Sequence, residues 1–223
     1  MPGDKSENNL IIFLKYPEEG KVKTRLAKKI GEKKASKIYS IIAKYIVEKF
    51  SENQNYNTSI FFSPRDKINE IKDWLDKSPV EYFPQTGTSL GDRISNAFEY
   101  IISRGGKNIV IIGTDCIEIS REDIKSSFET LSSNLSQIVI GPAADGGYYL
   151  LGLNIFIKDI FENIDWSSEK VFNQTVDKFK KQKLRYSVGK KLNDIDEYED
   201  ININSIKKID IKLAEEINSI IIH

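Results

Sequence analysis

The sequence predicts an α/β fold, in which a mostly parallel central sheet is flanked by helices within a single domain. Short apolar, β-branched runs alternate with longer segments of helical period, which is the pattern of a sheet covered by helices. No internal repeat, low-complexity tract or linker divides the 223 residues, and a chain of this length can form one core. We therefore expect one domain over residues 1–223, with the polar residues 1–9 flexible.

The first half of the chain alternates strand and helix three times. Ile38, Ile41 and Ile42 recur at helical spacing in the longest of these helices, and the glycines at 105 and 106 are typical of a helix end. The predicted elements are a strand at 10–14, a helix at 33–50, a strand at 59–62, a helix around Ile68 to Leu75, a strand at 80–83 and a helix at 93–102.

The second half opens with the clearest strand, residues 108–112, whose unbroken apolar run indicates burial on both faces. Ser120, with Asp123 three residues later, is typical of a helix N-cap. The predicted elements are that strand, a helix from Ser120 to about Leu131, strands at 137–140 and 148–153, a helix at 167–179, a strand at 184–188 and a terminal helix from about Ile209.

Composition excludes several classes of protein. The 33 basic and 33 acidic residues cancel, so no net field draws the chain to a nucleic acid or an anionic membrane. Cys116 is the only cysteine and His223 the only histidine, which argues against disulfides, zinc sites and serine or cysteine triads. The run 10–14 is too short for a signal or spanning helix, so we expect a cytoplasmic protein.

Charged residues follow several strands at the points where those strands end. A cationic loop over residues 15–25 follows the first strand, and Asp115, Asp145, Asp194 and Asp196 follow later strands. Ligands of open α/β sheets bind at the carboxyl ends of the strands. Because lysine and arginine neutralise phosphates while carboxylates hold a divalent cation, this combination favours phosphate chemistry.

Each of these residues also has an ordinary structural explanation. Lysines of the first loop could form a solvated face, and Asp115 could be a turn or N-cap residue. The pair Gly146-Gly147 could serve only a tight hairpin. Asp194 and Asp196 lie in an acidic run that could simply be solvated, and Cys116, without a histidine partner, could be a small buried side chain.

Five ordered motifs together resemble a family of bacterial and archaeal proteins known as DUF2064, from about Leu10 to Asp200. One departure is visible, because this chain has Ile117-Glu118 where the family usually has proline after the cysteine. The motifs are FLKYP with GKVKTRL (13–17 and 20–26), QTG with LGDR (85–87 and 90–93), IGTDC (112–116), GPAADGGYYL (141–150) and DID (194–196).

The resemblance implies a GT-A-like fold, similar to that of nucleotide-diphospho-sugar transferases and of phospholactate guanylyltransferase-type nucleotidyltransferases. It places Mg²⁺ or Mn²⁺ on Asp115, with Asp145 and Asp196 as further ligands. The residues that it assigns to the nucleotide or nucleotide sugar are Lys15, Gly20, Lys23, Thr24, Arg25, Gln85, Gly87, Arg93, Gly146 and Gly147.

These expectations lead to three functional hypotheses. The first is a metal-dependent glycosyltransferase in which Lys23 and Arg25 offset charge on the leaving group and Asp145 orients the acceptor or acts as base. The second is a nucleotidyltransferase that releases pyrophosphate from an NTP, which the basic first loop suits. The third is a nucleotide-binding module without turnover. The expected partners are a nucleotide-activated small molecule and an unknown acceptor, with no nucleic acid; a homodimer is compatible with the sequence.

Overall fold

A seven-stranded sheet forms the centre of the computed structural model, which describes residues 7–52, 55–76, 78, 80–166 and 168–222. The spatial order of the strands is β3-β2-β1-β4-β6-β5-β7. The strands are β1 (Asn8–Lys15), β2 (Asn57–Ser63), β3 (Glu81–Pro84), β4 (Asn108–Ile112), β5 (Ile138–Pro142), β6 (Tyr148–Leu153) and β7 (Tyr186–Val188).

The sheet is mostly parallel, as the sequence predicts. Strands β1 to β4 run parallel to one another, and β5 runs parallel to β7, whereas β6 is antiparallel to both β4 and β5. Ile12 is the central residue of this arrangement, because it pairs with Ile60 of β2 and with Ile112 of β4. As a result β1, β4 and β5 all end at the same edge of the sheet, where β6 begins.

The helices cover both faces of the sheet. Residues of β1 alternate between these faces: Leu10, Ile12 and Leu14 pack in one core cluster and Ile11 in another, as the period of a strand requires. The helices are α1 (Thr24–Ile30), α2 (Glu32–Ser51), α3 (Ile68–Trp74), α4 (Leu90–Ser103), α5 (Arg121–Ser132), α6 (Val171–Lys181), α7 (Ile203–Ile209) and α8 (Ile211–Ile222).

Most predicted elements are confirmed, with small shifts of their ends. All five residues of β4 are buried, and the side chain of Ser120 caps α5 by accepting a hydrogen bond from Asp123 N. β1 begins at Asn8, so two residues of the segment predicted to be flexible belong to the sheet. Residues 1–6 and Ser167, the predicted start of a helix, lie outside the described residues; that helix begins at Val171.

Two helices differ from the prediction. The first loop contains a short helix, α1, where the sequence predicts a loop; within this helix only Leu26 is buried. The C-terminal helix predicted from about Ile209 is a pair of helices, α7 and α8. α7 begins at a side-chain cap, in which Asn202 accepts a hydrogen bond from Ser205 N. Among the described residues, none of the helices combines the length and the apolar content that a membrane span requires.

Candidate functional site

A cleft of about 550 Å³ opens at the edge of the sheet where the parallel strands end. Its walls come from the segments that follow β1, β4 and β5, and from the late segment after β7. The predicted site residues that line it are Lys15, Lys23, Thr24, Arg25, Gln85, Asp115, Asp145, Gly147 and Asp196. Gly20, Gly87, Arg93 and Gly146 do not line this cleft.

Lys23 is the most buried charged group of the cleft. Its Nζ lies 2.5 Å from Asp115 Oδ1 and 2.8 Å from Asp196 Oδ1, and only 2% of its side chain is exposed. Burial alone would lower the pKa of Lys23, but the two carboxylates outweigh this effect and hold the pKa above its usual value. The ammonium group thus joins the loop after β4 to the late segment, 173 residues away from Lys23 along the chain.

The backbone around Lys23 explains how its side chain reaches the interior. Lys23 precedes α1 with φ 47° and ψ 45°, the left-handed conformation, which costs a side-chain-bearing residue about 1–2 kcal/mol. Val22 and Leu26 are buried on either side of it. These apolar anchors, together with the two ion pairs, offset the local strain and direct the ammonium group to the carboxylates.

Arg25 lies at the rim of the same cleft. Its Nη1 is 4.0 Å from Asp196 Oδ2 and 3.9 Å from Glu197 Oε1, and 53% of its side chain is exposed. Exposed ion pairs of this length contribute little to stability, so the guanidinium is available to an anionic ligand. Arg25 and Asp115 face one cleft, as the functional hypotheses require.

Asp194 is a site residue that the sequence reading left unassigned. Burial, followed by repulsion from Asp115, Asp145 and Asp196, raises the pKa of Asp194 to about 7. A backbone hydrogen bond of 3.0 Å from Ile195 N to Asp115 O brings its segment against the end of β4. Ile195 is buried, and this apolar residue between two aspartates is a signal that both carboxylates could face the cleft.

The predicted trio of metal ligands is not gathered into one group. Within the part of the chain that the structure describes, no three acidic, histidine or cysteine side chains form a metal-binding cluster. The Lys23 ammonium lies between Asp115 and Asp196 instead. Mg²⁺, however, takes only one or two protein carboxylates and completes its shell with water and substrate oxygens. Asp115 and Asp194 fit that smaller donor set, because Asp194 experiences net repulsion that a cation would relieve.

The loop between β5 and β6 is shaped by its own hydrogen bonds. Asp145 is exposed, and its Oδ1 accepts a 2.8 Å hydrogen bond from Gly147 N. A Cβ on Gly146 would lie 2.2 Å from Glu169 O, so Gly146 is required by close packing. This explains the glycine without a nucleotide contact, and the predicted hairpin is confirmed.

The QTG motif supports the cleft from the β3 side. Gln85 Nε2 donates hydrogen bonds to Leu14 O at 3.2 Å and to Phe61 O at 2.9 Å, so this side chain bridges the ends of β1 and β2. Arg93 Nε donates to Gly87 O at 3.2 Å. Gly87 and Arg93 thus hold the loop that begins α4 rather than lining the cleft.

Tyr39 and Tyr148 also line the cleft, although the sequence assigns neither of them a role. The Tyr39 hydroxyl accepts a 2.8 Å hydrogen bond from Lys15 N and lies 3.4 Å from Thr114 Oγ1, which links the ends of β1 and β4. Burial and the nearby Asp115 raise the pKa of Tyr39 to about 12. Burial also raises the pKa of Tyr148, whose hydroxyl has no hydrogen-bond partner among the described residues. A tyrosine within an amphipathic helix is usually a core residue, so the sequence contains no signal that distinguishes Tyr39 from its neighbours.

Solved structures share this fold. The structure of a protein from Desulfovibrio desulfuricans G20, described as a "putative nucleotide-diphospho-sugar transferase", is 28% identical, covers 97% of each chain and has a TM-score of 0.88. A cytidylyltransferase from Leptospira borgpetersenii serovar Hardjo-bovis (strain JB197) is 13% identical over 97% of each chain, with a TM-score of 0.53. CMP:2-keto-3-deoxy-manno-octonic acid synthetase in complex with CTP is 9% identical over 95% of this chain and 100% of its own, also with a TM-score of 0.53.

The two more distant structures show a shared α/β fold alone. No curated protein matches the sequence. The model of a family described as "Uncharacterized protein conserved in bacteria (DUF2064)" matches residues 46–168. Because this match covers more than half of the chain, the protein belongs to the DUF2064 family.

Proposed function

We propose that this protein is a transferase that acts on a nucleotide-activated substrate, and that it transfers a glycosyl group from a nucleotide sugar. The observation that carries the proposal is the placement of Arg25 and Asp115 on one cleft, where Lys23 and Asp196 connect them. Cations that can bind a diphosphate and carboxylates that can hold a divalent cation therefore line the same cleft. The 28% identical relative named for nucleotide-diphospho-sugar transfer supports this reading.

The donor diphosphate is assigned to the exposed cations of the first loop. Lys15, Lys21 and Arg25 line the cleft and are exposed, and the planar guanidinium of Arg25 can bind two phosphate oxygens at once. For Lys23 we propose a role other than the predicted one, because its ammonium already contacts Asp115 and Asp196. We assign Lys23 to positioning those carboxylates, and charge on the leaving phosphate to Arg25.

A divalent cation, Mg²⁺ or Mn²⁺, is part of the proposal, with Asp115 and Asp194 as its holders. Such a cation would neutralise phosphate charge as a Lewis acid. Asp196 is less suited to this role, because its two oxygens face Lys23 and Arg25. Of the predicted metal ligands, this assignment retains Asp115 and replaces Asp196 with Asp194.

Asp145 is assigned to the acceptor. Its carboxylate lies on the β5–β6 loop and lines the cleft, and Gly147 N holds one of its oxygens in place. In glycosyl transfer the acceptor oxygen attacks the anomeric carbon, the bond from that carbon to the phosphate oxygen breaks, and the hydroxyl proton passes to a base. Asp145 would orient the hydroxyl and accept that proton.

Nucleotidyl transfer is the second candidate, and the number of cations in the first loop favours it. Lys15, Lys21 and Arg25 together suit a triphosphate, which carries more negative charge than the diphosphate of a nucleotide sugar. In this reaction the acceptor attacks the α-phosphorus of an NTP and pyrophosphate leaves. Both candidates use the same cleft and differ in the bond that breaks.

An assay of the released product separates the candidates. The protein is incubated with Mg²⁺ or Mn²⁺ and either nucleotide sugars or NTPs, and nucleoside diphosphate and pyrophosphate are measured. Nucleoside diphosphate release from a nucleotide sugar supports the first candidate, and pyrophosphate release from an NTP supports the second. Arg25→Ala should lower kcat/KM by about tenfold to hundredfold, because a charge-stabilising donor is lost.

The matched control is Lys28→Ala, which removes an exposed cation of the same helix that does not line the cleft. This control should keep full activity. A different result would contradict both transferase proposals. If the protein binds a nucleotide tightly, if EDTA and Asp115→Ala leave that binding unchanged, and if neither product is released, then it is a nucleotide-binding module without turnover.

A further inference from the structure

Part of the cleft lining is apolar and has no role in the proposed binding of the donor. It is formed at the beginning of α4, at the beginning of β6 and in the segment that leads into α6. On α4, Leu90 and Ile94 lie one helical turn apart, and both side chains line the cleft. This surface, the apolar wall, consists of Leu90, Ile94, Tyr148, Trp166 and Val171.

Contacts within the apolar wall hold its largest ring in place. A Cβ on Gly91, the residue after Leu90, would lie 2.6 Å from Trp166 Nε1, so the indole packs directly on the backbone of α4. Tyr148 contacts Trp166 edge-on, with ring centroids 6.4 Å apart, and both rings pack against the core cluster that contains Ile94. An aromatic ring fixed in this way presents a large apolar surface to a ligand at little cost in entropy.

The apolar wall adjoins the loop of Asp145, the residue that we assign to the acceptor. Tyr148 follows this loop as the first residue of β6. Phe172 N donates a 2.9 Å hydrogen bond to Gly146 O, and a Cβ on Gly146 would lie 2.2 Å from Glu169 O. The segment that leads into α6 therefore packs against the loop, and a molecule on the apolar wall lies in the same cleft as the Asp145 carboxylate.

Leu90 leaves apolar surface of this wall open to water. Its side chain is 45% exposed, although the helix start does not depend on it, because Ser89 and Asp92 form the capping box of α4. Isolated exposed apolar residues are common in proteins, but Leu90 lines a cleft together with the half-buried ring of Trp166. An apolar group placed there removes the surface of both residues from water, which is favourable.

Polar side chains that line the cleft near its apolar residues are already engaged within the protein. Ser168 Oγ donates a 2.7 Å hydrogen bond to Asp165 O and accepts one of 3.3 Å from Lys170 N. Gln85 Nε2 donates to two backbone carbonyls, and the Tyr148 hydroxyl is buried. A sugar ring or a nucleobase on the apolar wall would lose hydrogen bonds to water that these donors do not replace. An alkyl or aryl group has none to lose.

From these contacts we infer that the apolar wall binds the acceptor, and that the acceptor is an alcohol whose hydroxyl is attached to an alkyl or aryl group. The apolar group lies on Leu90 and Trp166, and the hydroxyl reaches Asp145. The inference rests on the proposed transferase function and names the class of its second substrate. In the transfer the alcohol oxygen bonds to the anomeric carbon, the nucleoside diphosphate leaves, and Asp145 takes the hydroxyl proton.

The test follows the indole N–H signal of Trp166 in proton–nitrogen NMR spectra. The chain has two tryptophans, and Trp166→Phe identifies which of the two indole signals belongs to Trp166. The unmodified protein is titrated with hexanol, geraniol and benzyl alcohol, and with glycerol and methyl α-D-glucopyranoside as polar comparators. We expect a saturable shift of the Trp166 signal with at least one apolar alcohol, at a Kd at least about tenfold below that of either comparator.

A pair of leucine variants locates the binding site. Leu90→Ala should raise the Kd of the apolar alcohol by about threefold to tenfold, because less apolar surface is covered in the complex. Leu135→Ala is the matched control, since it shortens a leucine that is 74% exposed and lies outside the cleft lining, and it should leave the Kd unchanged. Both side chains are exposed, so both variants should fold. An unchanged Kd in Leu90→Ala would overturn the inference.

Calorimetry of UDP, GDP, CDP and ADP, with Mn²⁺ and the unmodified protein, tests the donor site independently. If a nucleotide binds while the apolar alcohols do not bind, bind no better than the comparators or compete with the nucleotide, the acceptor inference is overturned and the transferase proposal stands. If an apolar alcohol binds and no nucleotide does, the proposed function fails and the acceptor role fails with it. If neither binds, both are overturned.

Simultaneous binding of alcohol and nucleotide leads to a last measurement. The alcohol that binds should increase the release of nucleoside diphosphate from a nucleotide sugar with the same base, because it replaces water as the acceptor. Unchanged release, with the nucleotide still bound, would overturn the role of the alcohol as acceptor.

Discussion

The Nζ atom of Lys23 lies 2.5 Å from Asp115 Oδ1, in a position between two carboxylates that we had predicted to share a metal ion. This ion pair joins a residue at the start of α1 to the end of the central strand β4. Lys23 is thereby part of the framework of the cleft, and the electrostatics of the site depend on it.

Lys23→Met should destabilise the protein, because it leaves Asp115 and Asp196 without their shared cation. Removing one partner of a fully buried pair costs about 3–5 kcal/mol. Here the Asp115 side chain is 44% exposed and that of Asp196 is 35% exposed, so water screens the remaining charges, and we expect about 1–3 kcal/mol in urea unfolding at neutral pH.

The stability that the Lys23 ion pairs contribute should depend on pH. The pKa of Lys23 is raised in the folded protein, so its contribution is complete below the ordinary lysine pKa of about 10.4 and is lost only at higher pH. Lys21→Met, which removes an exposed cation of the same loop, is the control. Equal stability of Lys23→Met and wild type would contradict the structural role.

Tyr39 and Tyr148 form a matched pair for a second prediction. Both line the cleft and have buried hydroxyls, but only that of Tyr39 has partners. Tyr39→Phe should lower the free energy of unfolding by about 1–2 kcal/mol, because Lys15 N loses its acceptor. Tyr148→Phe should change it by less than about 0.5 kcal/mol, since no hydrogen bond is lost. Urea unfolding of the two variants tests the difference, and a larger loss for Tyr148→Phe would refute it.

Much of the fold was predictable because local signals agreed with the final packing. The five residues of β4 are apolar and β-branched apart from Asn108, and all are buried in the centre of the sheet. Ser120 and Asp123 have the spacing of a capping box and form one. The alternation of strands and helices placed the loops of residues 15–25, 113–116 and 143–147 at one edge, which is where the cleft lies.

The details of the site were less predictable, because they depend on contacts between distant segments. A lysine in a lysine-rich loop is usually solvated, and nothing local distinguishes Lys23 from Lys21. Its burial requires the left-handed backbone at Lys23 and the approach of Asp196. The packing of Trp166 on Gly91 of α4 is likewise a contact between segments distant in the sequence.

Gly146 provides a third prediction, with a control of nearly identical backbone. Gly146 has φ +91° and Gly105 has φ +92°, but a Cβ on Gly146 would lie 2.2 Å from Glu169 O, whereas one on Gly105 would meet nothing within 4 Å. Gly105→Ala should therefore cost only the backbone strain, about 1–2 kcal/mol. Gly146→Ala should cost about 3 kcal/mol or more, since overpacking is added. Thermal unfolding measures both losses of stability. If the two variants lose the same amount, the backbone around Glu169 moves to make room for the added Cβ at position 146.

Asp194 gives the fourth prediction, because its pKa of about 7 in the folded protein contrasts with about 3.9 in an unfolded chain. Between these two values the folded protein holds a proton that the unfolded chain has released. Raising the pH through this window therefore destabilises the folded state, and the loss is complete above about pH 7.

Asp194→Asn removes this titration, so the variant should be more stable than wild type at pH 8 and the gain should shrink as the pH approaches 4. Urea unfolding at several pH values, with a chelator present to remove divalent cations, measures the difference. Asp177→Asn, which changes an exposed carboxylate on α6, should show no such pH-dependent gain. Divalent cations should oppose the effect in wild type, because a cation held by Asp115 and Asp194 favours the ionised carboxylate. The prediction is wrong if the difference in unfolding free energy between wild type and Asp194→Asn stays constant from pH 4 to pH 8. That result would show that the carboxylates around Asp194 do not repel it in solution.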